Sequence, residues 1–210
     1  MSDQITWIIF AIPSILVASS LHEYAHAWVA YKLGDMTAKI EGRMTLNPLS
    51  HLDPIGALMM VIARIGWSKP VPINEYNFSR PVVGTALTAA AGAIANLIAA
   101  ATTALVIRLF ITNPLNPSNG TEEFFFSVLL TFMIVNISLA VFNLIPLPPL
   151  DGHKVVRALL PGRIRSIWED LEKYSLWIFI LIILPFSPIR HLIGKILVSV
   201  SSWLIGIFLL

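Results

Sequence analysis

The sequence predicts an all-α polytopic membrane protein, a bundle of about four to six transmembrane helices. Three observations carry that prediction. Hydrophobic residues make up 56% of the 210-residue chain and charged residues only 12%, where a soluble domain has about 25% charged. Mean hydropathy is +0.78. The apolar residues also fall into long runs separated by short polar stretches, and the longer runs approach the ~20 residues that cross a bilayer. Residues 1–210 read as one transmembrane domain, with a core over 5–155 and C-terminal helices over 175–210.

Each element can be justified in chain order. Ile5–Tyr31 is a first span with Pro13 as a kink, since proline removes a helix hydrogen bond. Met1–Gln4 lacks the basic region of a cleaved leader, so this span is expected to be retained. Residues 32–54 are polar. The apolar run Ile55–Ile65 is too short to cross the membrane as a normal helix, so residues 55–76 are expected to form a short re-entrant or β-like segment. Pro70, Pro72 and Pro81 discourage regular helix there. Val82–Phe110 is a long Ala-rich span, 111–123 a polar turn, and Phe124–Ile145 the next span. A basic stretch follows to Lys173, and Ser175–Pro185 and Ile189–Leu210 supply one or two further spans. The six tryptophans fall mostly near the expected interfaces, as an aromatic belt does.

Composition also excludes some classes. A net charge of +2 gives no nucleic-acid footprint, and the absence of cysteine rules out disulfides and thiolate ligands. Lys and Arg concentrate in residues 32–81 and 152–173 and are missing from 111–123 and from the chain before Ile5. The positive-inside rule therefore puts the N-terminus outside and both basic regions in the cytoplasm.

Within the first span lies His22-Glu23-Tyr24-Ala25-His26, an H-E-x-x-H pattern. Histidines four apart share one helix face and can reach one metal ion, while the glutamate can take a proton from a water that the metal activates. Such a cluster is expensive within hydrocarbon, which favours a function. A hydrolytic zinc site needs a third protein ligand. Asp151 is the best candidate, because it follows the proline-rich break Pro146–Pro149 at the end of a span, and unwound backbone at that depth is tolerated only where it is buried in protein or lines a wet cavity. Gly152 would let the chain turn tightly beside it. The charge map provides an independent check: His26 and His22 lie roughly 8 and 14 Å before the cytoplasmic end of their span, and Asp151 arrives at the same side.

These residues resemble the site-2 protease family of intramembrane zinc metalloproteases. The resemblance rests on His22–His26, on Asn143-Leu144-Ile145-Pro146 running to Leu150-Asp151-Gly152, and on Gly92-x-x-x-Asn96 in the intervening span. Loop pieces such as Asn47-Pro48, Asp53-Pro54-Ile55-Gly56 and Lys69-Pro70-Val71-Pro72 are similar to the compact microbial branch, which has no PDZ or nucleotide-sensing domain. Ala93 stands where many members have proline. The resemblance implies one zinc ion bound by His22, His26 and Asp151, Glu23 as general base, and Asn143 and Asn96 lining the cavity to hold the substrate backbone or an oxyanion. It implies cleavage of a peptide bond in or near a transmembrane segment of a protein substrate, in a prokaryotic cell membrane; the charge map puts the active site near the cytoplasmic face. Partners would be that substrate and the lipid bilayer, with no nucleic acid. Two other functions compete, a catalytically inactive relative that binds membrane helices and a metal transporter. Of the other histidines, His51 reads as structural or exposed, His153 as structural or as support for the neighbouring ligand, and His191 as interfacial.

Overall fold

In the computed structural model, residues 7–63, 66–110, 120–183 and 188–209 are described. Among the described residues, three helices are long and apolar enough to cross a membrane: Ile8–Lys32, Pro81–Phe110 and Gly120–Asn143. The first is a π-helical turn, Trp7–Ala11, that winds into α1, Ile12–Lys32. Pro13 sits in the first turn of α1, where its missing N–H costs nothing. The winding changes just ahead of Pro13, where the sequence places a kink. At the other end Gly34 adopts φ +108°, with Gly34 N–H bonded to the Tyr31 carbonyl and Asp35 N–H to that of Ala30. This is a Schellman cap, which satisfies two of the last carbonyls of the helix.

Two short helices follow, α2 (Thr37–Ile40) and α3 (Pro48–His51), then α4 (Pro54–Ala63). Asp53 opens α4 by accepting from Gly56 N–H at 2.7 Å. The segment read from sequence as re-entrant or β-like is therefore a ten-residue apolar helix followed by an irregular strap, residues 66–74. The strap makes one antiparallel bridge, Leu52 to Ser68, and ends in the 3-10 turn Glu75–Asn77.

Helix α5 (Pro81–Phe110) is the centre of the bundle, against α1, α6 (Gly120–Asn143) and α7 (Asp151–Leu159). Its buried residues explain why. Gly84, Thr88, Gly92, Asn96, Ala100 and Ala104 recur every four positions and form one row along the helix. Lipid and apolar side chains differ little in hydrophobicity, so spans associate where small residues let backbones approach. On α1 the matching row is Ser14, Ala18, His22, His26 and Ala30. Met133 and Ile137 of α6 close over Ala100 and Ala104, with Leu204 and Ile205 packed outside them. Glu122 and Glu123 lie in the first turn of α6, a favourable place for acids on the helix dipole; most of the 111–123 turn itself lies outside the described residues.

Beyond α7 come α8 (Gly162–Asp170), a 3-10 turn (Leu171–Tyr174), α9 (Ser175–Ile183) and α10 (Pro188–Leu209). At nine residues the described part of α9 is short for a span. Helix α10, with an apolar stretch over His191–Ile207, packs on α5 and α6.

Candidate metal centre

Helical spacing puts His22 and His26 one turn apart on the α1 face turned to α5. Their rings meet edge to face, with centroids 4.5 Å apart and planes at 89°. Asp151, the first residue of α7, enters from the far end of the sequence. Its Oδ2 lies 3.0 Å from His22 Nε2 and 3.1 Å from His26 Nε2. One ligand atom from each residue falls within 4.8 Å of the other two.

The break after α6 makes this possible. Asn143 ends that helix, and Leu144–Leu150 turn the chain back through a series of tight bends. Gly152 then lies against the break. A Cβ there would stand 2.3 Å from the Leu144 carbonyl oxygen. Space, rather than the tight turn expected from sequence, is what requires glycine, because Gly152 itself is helical.

Both histidines are anchored from behind. His26 Nδ1 lies 2.7 Å from the Thr88 carbonyl oxygen, and His22 Nδ1 lies 2.7 Å from Asn96 Oδ1. A carbonyl can only accept, so His26 Nδ1 carries the proton and its Nε2 presents a lone pair. Two ring nitrogens and a carboxylate oxygen, all acceptors, then converge on one point. They repel one another unless a cation or a proton sits between them. Two histidines and one carboxylate are also a zinc donor set that leaves a fourth position open, so the residues fit that ion.

Glu23 is buried beside this triangle and is held from the opposite side. Ser68 Oγ donates to its Oε1 at 2.8 Å and Val71 N–H to its Oε2 at 3.0 Å. The strap that supplies these donors is itself pinned. Lys69 N–H bonds to the His51 carbonyl at 2.8 Å, and Arg43 Nη2 donates to the Lys69 carbonyl at 2.9 Å. Asp35 has no exposed surface and accepts from Asn74 N–H and Asn77 Nδ2, each at 2.8 Å, and from Thr37. Burial pushes the Asp35 carboxyl up, but hydrogen bonds from Thr37, Asn77 and Asn74 outweigh that and hold it below the usual range.

A cavity of about 640 Å³ joins these parts. His22, Glu23, His26 and Asp151 line it, with apolar walls from Leu16, Met60, Leu139 and Phe142. Asn143 lines it too, its amide bonded to the Leu139 carbonyl at 2.9 Å. Asn96, expected beside it, is instead wholly buried behind His22, its Oδ1 accepting from the ring and its Nδ2 donating to the Ala18 carbonyl and to Asn136 Oδ1. At the mouth Arg157 bridges Glu75 at 2.8 Å and Glu169 at 3.2 Å.

Of the remaining histidines, His51 is buried and bonds through Nε2 to the Thr45 carbonyl at 2.8 Å. His153 faces away from the triangle, stacked on Trp168 at 5.1 Å and paired with Glu172. His191 is exposed. Sequence reasoning did not find Ser68, Thr88 or Asn136: Thr88 acts through its main-chain carbonyl, and Ser68 and Asn136 through single side chains whose partners lie far off in sequence.

Comparison with known proteins decides the family. YwhC of Bacillus subtilis, named as a candidate zinc metalloprotease, is 37% identical over 177 residues, covering 82% of this chain and 79% of YwhC. The chain belongs to peptidase family M50. The family model itself matches residues 109–186, which include Asp151. Rip2 of Mycolicibacterium smegmatis, also named as a candidate zinc metalloprotease, is 27% identical over 84% of this chain and 68% of its own length. The archaeal zinc metalloprotease MJ0392 of Methanocaldococcus jannaschii is 29% identical over 76% of this chain and 37% of its own length. No solved structure matches the chain.

Proposed function

We propose that this M50 member is an intramembrane zinc endopeptidase that hydrolyses a peptide bond in or near a transmembrane segment of a membrane-protein substrate. The observation that carries the reading is the convergence of His22, His26 and Asp151 beside Glu23 on one cavity among spanning helices. The names of the relatives support the metal and the reaction.

In this reading His22, His26 and Asp151 hold one zinc ion, which when bound supplies Lewis acidity that brings the pKa of water toward about 7. Glu23 takes the proton from the attacking water and passes it to the leaving amine. Ser68 and the Val71 N–H fix the carboxylate for both transfers. Asn143 on the cavity wall binds the substrate backbone. Asn96 serves as support for His22 in place of a substrate contact. A transmembrane helix hides its carbonyls in i→i−4 bonds, so the substrate must unwind locally to enter, and helix-weakening residues near the cut are expected.

The basic loops support an N-terminus outside and an active site near the cytoplasmic face. His26 stands six residues before Lys32, about 9 Å along the helix from that end.

The test is cleavage of a single-span reporter carrying a Gly/Pro-weakened segment by purified protein in detergent, with wild type beside Glu23→Gln. Cleavage by the wild type alone, lost on chelation and restored by zinc, is the expected result. Equal processing by both proteins refutes the protease reading, and zinc uptake into proteoliposomes would favour transport instead.

A further inference from the structure

Asn136 lies on α6, outside the ligand motifs and with no exposed surface. The geometry points to a positioning role for it: acting through Asn96, Asn136 fixes which nitrogen of His22 is protonated and therefore aims the His22 Nε2 lone pair at the metal position. This rests on the reading of His22 as a metal ligand.

A chain of four hydrogen bonds runs across three spans. Asn136 Nδ2 donates to the Phe132 carbonyl at 2.9 Å. Asn136 Oδ1 accepts from Asn96 Nδ2 at 2.8 Å, and the same nitrogen donates to the Ala18 carbonyl at 3.0 Å. Asn96 Oδ1 then faces His22 Nδ1 at 2.7 Å. An asparagine amide can in principle be turned end for end, and only its partners decide the orientation. Here each turn is blocked. Turning Asn96 would set its oxygen against two acceptors, Ala18 O and Asn136 Oδ1. Turning Asn136 as well would relieve one of those conflicts but set its own oxygen against the Phe132 carbonyl. The only arrangement that satisfies every group leaves Asn96 Oδ1 as an acceptor. His22 Nδ1 must therefore carry a proton, and Nε2, facing Asp151 at 3.0 Å, is the ligating nitrogen.

His26 needs no such device, because its Nδ1 bonds to a main-chain carbonyl. His22 faces a side chain that could have pointed either way, and the Ala18 carbonyl and the second asparagine together remove that freedom. Hydrogen bonds between spans also serve as plain inter-helix glue, so the test must separate aiming from stability.

Zinc affinity of the full chain in detergent, measured by competition with a chromophoric chelator, is compared with thermal unfolding of the zinc-free protein. Partners of metal-bound histidines typically contribute about 10–100-fold in metal affinity. Asn96→Leu should fall in that range. Asn136→Leu should lose several-fold, because the Ala18 carbonyl still opposes the turn of Asn96. Asn136→Asp, kept neutral by burial so that its O–H donates to the Phe132 carbonyl, keeps an acceptor toward Asn96 and should restore near wild-type affinity. If Asn136→Leu lowers the unfolding temperature while its folded fraction binds zinc as tightly as wild type, Asn136 is glue and the proposal fails. Should Asn136→Leu not fold, nitrogen chemical shifts of His22 in zinc-free wild type decide alone. A proton on Nδ1 is required, and an unprotonated Nδ1 overturns the proposal. Wild type that binds no zinc overturns the metal reading itself, whereas equal zinc binding by all forms overturns the aiming of His22 by Asn96 and Asn136 and leaves the metal reading standing.

Discussion

Neighbouring residues of α1 are held by different parts of the molecule. His22 and His26 are anchored into α5, through Asn96 and the Thr88 carbonyl, on a row of small residues inside the bundle. Glu23, next in sequence to His22, is anchored by Ser68 and Val71 in a strap with almost no regular structure. The donor triangle is thus complete once the spans and α7 have packed. The placement of the proposed base also depends on loop contacts made by Asp35, Arg43 and His51. Loops open at lower free energy than packed helices. Metal retention and proton transfer should accordingly be separable by mutation.

The sharpest break in that comparison comes from the ligand side. Asp151→Ala should lose stoichiometric zinc and all measurable cleavage together, as read by metal analysis of the purified protein beside the reporter assay; retained zinc would refute the third ligand. Glu23→Gln should do the reverse, keeping zinc while cleavage drops about 10²–10⁴-fold, the usual scale of general acid–base catalysis. Ser68→Ala removes one of two donors to the carboxylate. A roughly tenfold lower kcat with unchanged zinc content is expected, since a hydrogen bond to a charged group is worth about 1.5–3 kcal/mol. An unchanged kcat would show that Val71 suffices.

The smallest effect concerns the anchor of the strap. The folded Asp35 carboxyl sits below its ordinary range, so its ionised form stabilises the fold above the unfolded value and that contribution fades as pH falls through the folded one. Acid should therefore loosen residues 66–77, seen as faster limited proteolysis there. Asp35→Asn, with no charge to lose, should show a flatter acid response from a weaker starting point. If both forms respond alike, another carboxylate governs the strap.

How much of this was legible in the sequence follows the same division. His22 and His26 were readable because helical periodicity alone puts residues four apart on one face. Asp151 was readable because prolines mark where a span must end. The three long spans follow from hydropathy. The supports were not readable for a physical reason: the Thr88 carbonyl and Val71 N–H are main-chain groups, which every residue carries. Asn96 was visible as a residue, but its direction depends on Ala18 and Asn136, 78 and 40 residues away. Residues 55–76 were ambiguous because a short apolar run suits a helix or a buried strand equally.

Gly92 has a wider consequence. A Cβ there would stand 2.5 Å from the His22 ring, so the imidazole lies directly on the backbone of α5. The thickness of one aromatic ring sets how closely these two spans can approach at that level. Metal geometry and helix separation become a single mechanical variable. A bilayer or detergent that pries α1 from α5 would detune the ligand, and a filled metal site would in turn act as a rivet between the spans.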